Sequence, residues 1–394
     1  MKRLVLISLL VLLAACKQNT TNEKNESIIV DSSVVIDATE ILNSEPVYSL
    51  QNMIDTIKMI FLQTNVNSVV SEIRKIISGK NYIYIIDAFE GGSVVIFDYE
   101  GNFIKRLPHG EAPHETLNAS SMFYDKYNDC LYVEDEGMLK IVKYTSDGNY
   151  VNHYYTGTPM SDFCIKDSVC LFIHASFQDT THQFTVLFSD TTFENITSFH
   201  LGEERKQYVK PLYLQTIDNK VLIYKDNEIY HYDNNAIKKK YVVESLIGFD
   251  VESCKDDIEV VKQMAQGDFL FQDFSIEASG YQFLPYIQVA PNELLSAPII
   301  LRNIRTGKMI LLKHISNSIV DLFYIKNSDY SGKYFVAKLE SNDLDKLNED
   351  IKPDFRWDGS NPNNLISPED MEKLRNVTPD DNPIIVLFKL KDEI

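Results

Sequence analysis

The residues able to do chemistry in this 394-residue chain fall in short clusters, and no linear catalytic motif joins them. There is no Gly-x-Ser-x-Gly elbow, Walker loop, His-Glu-x-x-His pair or dinucleotide glycine fingerprint. His109 and His114 share one segment with Glu111 and Glu115. Imidazole beside carboxylate is a donor set for a polar ligand or a divalent metal, although this spacing matches no recognised site. Glu134, Asp135 and Glu136 gather three carboxylates at a strand end, an arrangement that suits Ca²⁺. The simpler alternative has Asp135 accepting from N–H groups of an adjacent turn, as Asp87 would one unit earlier. Arg356 stands beside Trp357, the only tryptophan. That pair in a loop can stack on a sugar or peptide side chain, or Trp357 can anchor its own loop by burial.

Five cysteines are present, at 16, 130, 164, 170 and 254, with no CxxC pair. Cys164 and Cys170 flank Lys166-Asp167-Ser168. A three-residue hairpin loop there would set the two thiols opposite each other and permit a disulfide. Otherwise they are two small buried apolar side chains.

The elements that must position these residues repeat. Tyr82–Asp87 is followed by Val94–Ile104 with Gly101-Asn102 at a bend, and Cys130–Asp135 by Lys140–Val151 with Gly148-Asn149. Asp87 and Asp135 lie 48 positions apart, Gly101 and Gly148 47. Alternating β-branched and aromatic residues make strands of these runs, and glycine supplies the positive φ of a tight turn. Weaker copies follow at Val169–Ile173, Lys220–Tyr224, Tyr281–Val289, Ile299–Asn303, Tyr334–Leu339 and Pro383–Leu390. A unit of forty to fifty residues is one four-stranded propeller blade, and six fit between residue 66 and the C-terminus. The fold class expected is therefore all-β, a six-bladed β-propeller of four-stranded antiparallel blades. Ring closure falls to two candidates, the strand Asp55–Leu62 and the strand ending at Leu390. Short helices are predicted over Asp256–Ala265 and from Ser367-Pro368-Glu369-Asp370, where serine caps, proline opens and acids fill the first turn.

The N-terminus carries Lys2 and Arg3, an apolar run from Leu4 to Leu13 that is short for a permanent membrane span, then Ala14-Ala15-Cys16. This resembles a bacterial lipoprotein signal. The resemblance implies cleavage before Cys16 and acylation of that residue, leaving 1–15 as signal peptide and 16–27 as a polar tether. Residues 28–394 form a single propeller domain with an insertion at about 342–381. Two or more acyl chains would hold the protein on a membrane. The residue after Cys16 is Lys17, not Asp, which by the same resemblance favours the outer membrane and leaves its face open. A formal charge of −19, from 57 acidic and 38 basic residues, argues against nucleic acid as a partner.

Together, Cys16, the strand ending Tyr84-Ile85-Ile86-Asp87, the phrase Phe97-Asp98-Tyr99-Glu100-Gly101-Asn102-Phe103 and the terminal Asn382–Lys391 run resemble the six-bladed propeller lipoproteins of Bacteroidota, akin in architecture to NHL-repeat propellers. That family usually has Gly-Pro-Gly-Glu between blades; here Ala112-Pro113-His114-Glu115 keeps only the proline and glutamate. The resemblance implies fold and envelope location and says little of chemistry. The function expected is a non-catalytic binding module for a glycan, a peptide or an envelope protein. The alternative is a propeller hydrolase or lyase with a central-channel site, working with or without a metal; no cofactor is expected, Ca²⁺ or another divalent metal being the one candidate. The candidate ligand residues are Arg356, Trp357, His109, His114 and Glu115.

Overall fold

The computed structural model describes residues 34–38, 41, 44–46, 50–89, 92–166, 168–174, 185–190, 196–200, 213–217, 220–225, 228–233, 236–244, 259, 269–272, 275–289, 299–312, 324–344, 361 and 364–392. Two strands, β1 (Val34–Asp37) and β2 (Ile54–Phe61), precede the repeat. Blade 1 is β3 (Ile73–Ser78), β4 (Tyr82–Asp87), β5 (Ser93–Asp98) and β6 (Phe103–Arg106). Blade 2 is β7 (Ala119–Asp125), β8 (Cys130–Asp135), β9 (Lys140–Thr145) and β10 (Tyr150–Tyr155). Blade 3 is β11 (Met160–Lys166), β12 (Val169–His174), β13 (Thr185–Asp190) and β14 (Ile196–His200). Blade 4 is β15 (Tyr213–Ile217), β16 (Lys220–Lys225), β17 (Glu228–Asp233) and β18 (Ala236–Glu244).

In blade 5, β19 (Phe269–Gln272) and β20 (Ile276–Ala278) share one edge of the long β21 (Tyr281–Val289), followed by β22 (Ile299–Asn303) and β23 (Met309–Leu312). Blade 6 contributes β24 (Tyr324–Ser328), β25 (Phe335–Leu339) and β26 (Ile384–Leu390). The protein is a six-bladed β-propeller of antiparallel, essentially four-stranded sheets. Its innermost strands touch in a closed circle, β3 to β7, β11, β15, β20, β24 and back to β3.

Blade stacking explains the residue pattern. Each middle strand is covered on both faces by neighbouring blades, so its apolar run is nearly continuous where a half-exposed strand would alternate. Every residue of β8 is buried, whereas the outermost β10 is largely exposed. Ile83, Ile85, Val95 and Phe97 pack toward blade 6, and Tyr84, Ile86, Val94 and Ile96 toward blade 2.

Closure uses both expected segments. β2 runs antiparallel to β26, from Ile54 opposite Leu390 to Phe61 opposite Ile384, and so completes blade 6. Asn382 fastens the joint: its Nδ2 donates to the carbonyls of Gln63 (3.0 Å) and Ser68 (2.9 Å), and its Oδ1 accepts from Val70 N (2.7 Å). β1 adds a fifth, parallel strand outside β18. The same N-terminal stretch therefore grips the rims of blades 4 and 6.

Helix α1 (Pro368–Asn376) begins where the capping signals place it. Ser367 Oγ accepts from Asp370 N, and Met371 and Leu374 are buried in the core of blades 5 and 6. Of the helix expected over Asp256–Ala265 only Glu259, which is helical, is described, and Cys16, its tether, Cys254, Arg356 and Trp357 lie outside the described residues. Among the described residues no helix is long and apolar enough to cross a membrane.

The disulfide between Cys164 and Cys170 is not formed; both are free, buried thiols. Lys166 pairs with Val169, so the hairpin closes over two residues, not three, and Cys164 faces Leu171 while Cys170 faces Ile165. A one-residue change of register puts the two side chains on opposite faces of the sheet. Burial pushes the Cys164 thiol up to about 12 and raises that of Cys170 as well.

Candidate functional site

Four innermost strands carry the same irregularity near their start. Pairing with the second strand slips by one residue between Ile73 and Lys75, Ala119 and Ser121, Met160 and Asp162, and Ile325 and Asn327. The residue past each slip is polar. A bulge re-aims the side chain that follows it, and here it brings Lys75, Ser121, Asp162 and Asn327 to equivalent places around the ring.

These side chains form a polar belt to which all six blades contribute. Lys75 Nζ, from blade 1, donates to Ser121 Oγ of blade 2 (2.9 Å) and to Asp162 Oδ1 of blade 3 (2.6 Å). Ser121 Oγ donates to the same Oδ1 at 2.9 Å. Asp162 also accepts from Phe163 N and, through Oδ2, from Leu214 N of blade 4, each at 3.0 Å. Gln215 carries the belt onward. Its Oε1 accepts from Tyr224 OH (2.8 Å) and from Glu277 N of blade 5 (3.1 Å), and its Nε2 donates to Glu277 O (3.3 Å) and Ser328 Oγ of blade 6 (3.0 Å). Asn327 Nδ2 completes the circle by donating to Ile76 O of blade 1 at 3.5 Å.

Next to the belt is a cavity of about 490 Å³. Lys75 and Asp162 lie at its inner end, and its walls include Phe123, Tyr124, Phe163, Tyr330, Asn327 and Ser328. It opens where the first hairpin of each blade emerges, at Lys126, Tyr127, Asn128 and Ser168. Tyr127 is 70 % exposed at this mouth. Within the belt Ser121 and its cross-strand neighbour Glu134 are almost inaccessible, and the cavity that the belt floors is a cup.

The residues singled out in the sequence fall elsewhere. His109, His114 and Glu115 belong to the connection that feeds the start of β7, at the opposite end of the ring from the mouth. That loop folds on itself: His109 bridges Thr116, Glu115 Oε2 accepts from Ala112 N (3.0 Å), and the His114 carbonyl accepts from Tyr144 OH (2.9 Å). His114 Nε2 lies 3.7 Å from Glu115 Oε1.

Asp135 accepts from the N–H groups of Leu117 and Asn118, each at 3.0 Å, with Lys140 Nζ 3.7 Å away. Asp87 does the same for Ser71 (3.3 Å) and Glu72 (3.1 Å), so the repeated aspartate anchors the turn that leads into each of these two blades. Glu134 accepts only from Met160 N through Oε1, and its Oε2 has no hydrogen-bond partner. Burial lifts this carboxyl to about pH 8. Among the described residues no group of three or more His, Cys, Asp or Glu is placed to hold a metal ion.

The belt residues were not singled out in the sequence. Their signal is faint: polar residues that interrupt an apolar strand, Lys75 and Ser121 standing 46 positions apart and Ser121 and Asp162 41.

Residues 33–389 match the profile of a family described as Domain of unknown function (DUF4934). The chain belongs to that family. No curated protein matches it. The fold of this DUF4934 chain recurs in a Bacteroides fragilis protein classed as exported, with TM-score 0.68 and 17 % identity over 91 % of this chain and 100 % of the other. It recurs also in a DUF4221-family member from Bacteroides vulgatus, with TM-score 0.51 and 11 % identity over 86 % and 99 %. Both likenesses concern the fold, and both sources fit the Bacteroidota propeller family that the sequence resembles.

Proposed function

We propose that this DUF4934 propeller is an exported, lipid-anchored binding module of the cell envelope that takes its ligand in the central cup. The carrying observation is the six-blade polar belt at the base of a cavity that opens on one face. Pockets of roughly 300–1,000 Å³ with a few fixed polar groups among aromatic walls suit small ligands. Hydrogen bonds inside the belt hold those groups in place before anything arrives, which lowers the ordering cost of binding. The anchor rests on the lipobox at Cys16, and export is in keeping with the classification of the Bacteroides fragilis neighbour.

A glycan is favoured over a peptide or an envelope protein, because hydroxyl and amide groups beside aromatic rings match the alternating polar edges and apolar faces of a sugar. The hydrolase or lyase alternative has weaker support. Among the described residues the two aspartates lining the cup are engaged by protein donors, Asp162 in the belt and Asp125 with Tyr127 N and Asn128 N, rather than left free to act on a substrate.

Glycan and peptide arrays probed with the purified chain test the reading. Reproducible capture of a glycan class that is lost on Tyr127→Ala or Asn327→Ala is the expected result; no reproducible ligand on either array sinks it. Cys16→Ser tests the anchor separately, and continued membrane association of that variant would refute it.

A further inference from the structure

We infer that the ligand of the cup is anionic, a carboxylate-bearing sugar such as a uronic acid unit, held by Lys75. The inference rests on the proposed binding role of the cavity and concerns the charge of what it takes.

The charge balance of the cup runs against that of the chain. The whole protein carries −19, yet the described residues lining the cavity include three lysines, Lys75, Lys126 and Lys166, against two aspartates. Both aspartates are already supplied with donors. Asp162 accepts from Lys75, Ser121, Phe163 N and Leu214 N. Asp125 accepts from Tyr127 N, Asn128 N and the Asn128 side-chain amide. Protein donors thus make four contacts with Asp162 and three with Asp125.

Lys75 differs. An ammonium has three N–H donors, and two of them go to Ser121 and Asp162. The Lys75 side chain keeps 24 % of its surface at the inner end of the cup, where, among the described residues, the third donor has no protein acceptor within hydrogen-bonding distance. Lys126 and Lys166 stand nearer the mouth. On an acidic protein, a cup whose described lining carries more lysine than aspartate is the place where an anion is disfavoured least.

A carboxylate would therefore take the Lys75 donor, while its ring hydroxyls meet Asn327 and Ser328 and its apolar face lies against the Tyr124 and Tyr330 wall. The aromatic wall and neutral hydrogen-bonding groups favour a sugar acid over an acidic peptide. A peptide needs backbone partners in an extended groove, and a cup of about 490 Å³ is not extended.

Calorimetric titration of the purified full chain in detergent with three probes tests the inference: trigalacturonate, its fully methyl-esterified counterpart and triglutamate. Trigalacturonate should bind about tenfold or more tightly than the ester, since a hydrogen bond between charged groups is lost on esterification. Its affinity should also fall as salt rises. Lys75→Met should reduce the preference to about twofold or less. Lys105→Met, on the outer strand of blade 1, should leave it unchanged.

Because Lys75→Met disturbs the belt, Lys126→Met and Lys166→Met serve as a second pair, each expected to weaken trigalacturonate more than the ester. Equal binding of acid and ester overturns the inference, as does triglutamate binding as tightly as the uronate, or no binding of any probe. A neutral glycan captured on the arrays alongside any of these outcomes would leave the broader binding role standing.

Discussion

Lys75 of blade 1 and Asp162 of blade 3 meet at 2.6 Å across the intervening blade, with the Ser121 hydroxyl of that blade bonded to both. Asp162 is the more deeply buried partner and also terminates two backbone N–H groups. Asp162→Ala should therefore cost more than Lys75→Met. It strands an ammonium and two amides, and breaking a partly buried pair of this kind destabilises by about 3–5 kcal/mol. Lys75→Met leaves a carboxylate that still holds Ser121 and both amides. Urea unfolding of the two variants should give midpoints in that order.

Gln215 has all four of its hydrogen bonds made inside the protein, to one residue each on its own blade, blade 5 and blade 6. Gln215→Leu keeps the volume and leaves the Tyr224 hydroxyl and Glu277 N–H without their acceptor. Each buried group so stranded costs about 1–3 kcal/mol. Ser328→Ala removes one acceptor for a single donor and should cost about 1 kcal/mol. Chemical denaturation of both variants would show whether Gln215 is the structural clip between blades 4, 5 and 6.

The turn glycines make a graded series. Gly307, Gly148 and Gly101 have φ of +74°, +83° and +86°. At Gly307 a Cβ meets nothing within 4 Å, so Gly307→Ala carries only the left-handed backbone cost of about 1–2 kcal/mol. At Gly148 the Cβ falls 2.7 Å from Ile96 Cδ1 and 2.9 Å from Leu107 Cδ2, ends of side chains able to shift. At Gly101 it falls 2.0 Å from the carbonyl oxygen of Phe61, backbone of the closing strand β2. Thermal unfolding should rank Gly307→Ala mildest and Gly101→Ala most severe.

The two sequence units that announced the propeller did so through their middle strands. Tyr82–Asp87 and Cys130–Asp135 are regular and buried on both faces, so their apolar runs stand out, and Gly101 and Gly148 mark the hairpins between the third and fourth strands of their blades. The innermost strands gave no such signal, because a bulged residue, Arg74, Ser120, Ser161 or Lys326, breaks their alternation at the point where the belt side chain follows. The belt was illegible for a second reason. Lys75 and Asp162 are 87 positions apart, and only the curved stacking of blades 1 to 3 sets them side by side. Asp135 was legible in part, since its repeat partner Asp87 pointed to the turn-anchoring role that both residues fill. His109 and His114 looked chemical by composition alone; the fold places them away from the cup.

Glu134 supplies the clearest pH dependence. It sits opposite Ser121 in the pairing of β7 and β8, fully buried, with one carboxyl oxygen unpartnered. Burial raises its pKa from 4.5 to about 8, opposed by the Met160 N–H and the nearby Lys75 charge. Between those two values the folded protein holds a proton that the unfolded chain releases. The stabilisation is complete below about pH 4.5 and is lost as pH rises through about 8. Glu277, also buried with an unpartnered oxygen and raised by burial, adds to the same slope. Melting temperature should therefore fall from pH 5.5 to pH 8.5. Glu134→Gln, which cannot ionise, should flatten that fall and melt a few degrees above the parent at pH 8.5. Lys75→Met removes a charge that pulls this carboxyl down, and should move the titration to higher pH. A melting profile of Glu134→Gln parallel to that of the parent across the range would show that Glu134 does not carry the proton.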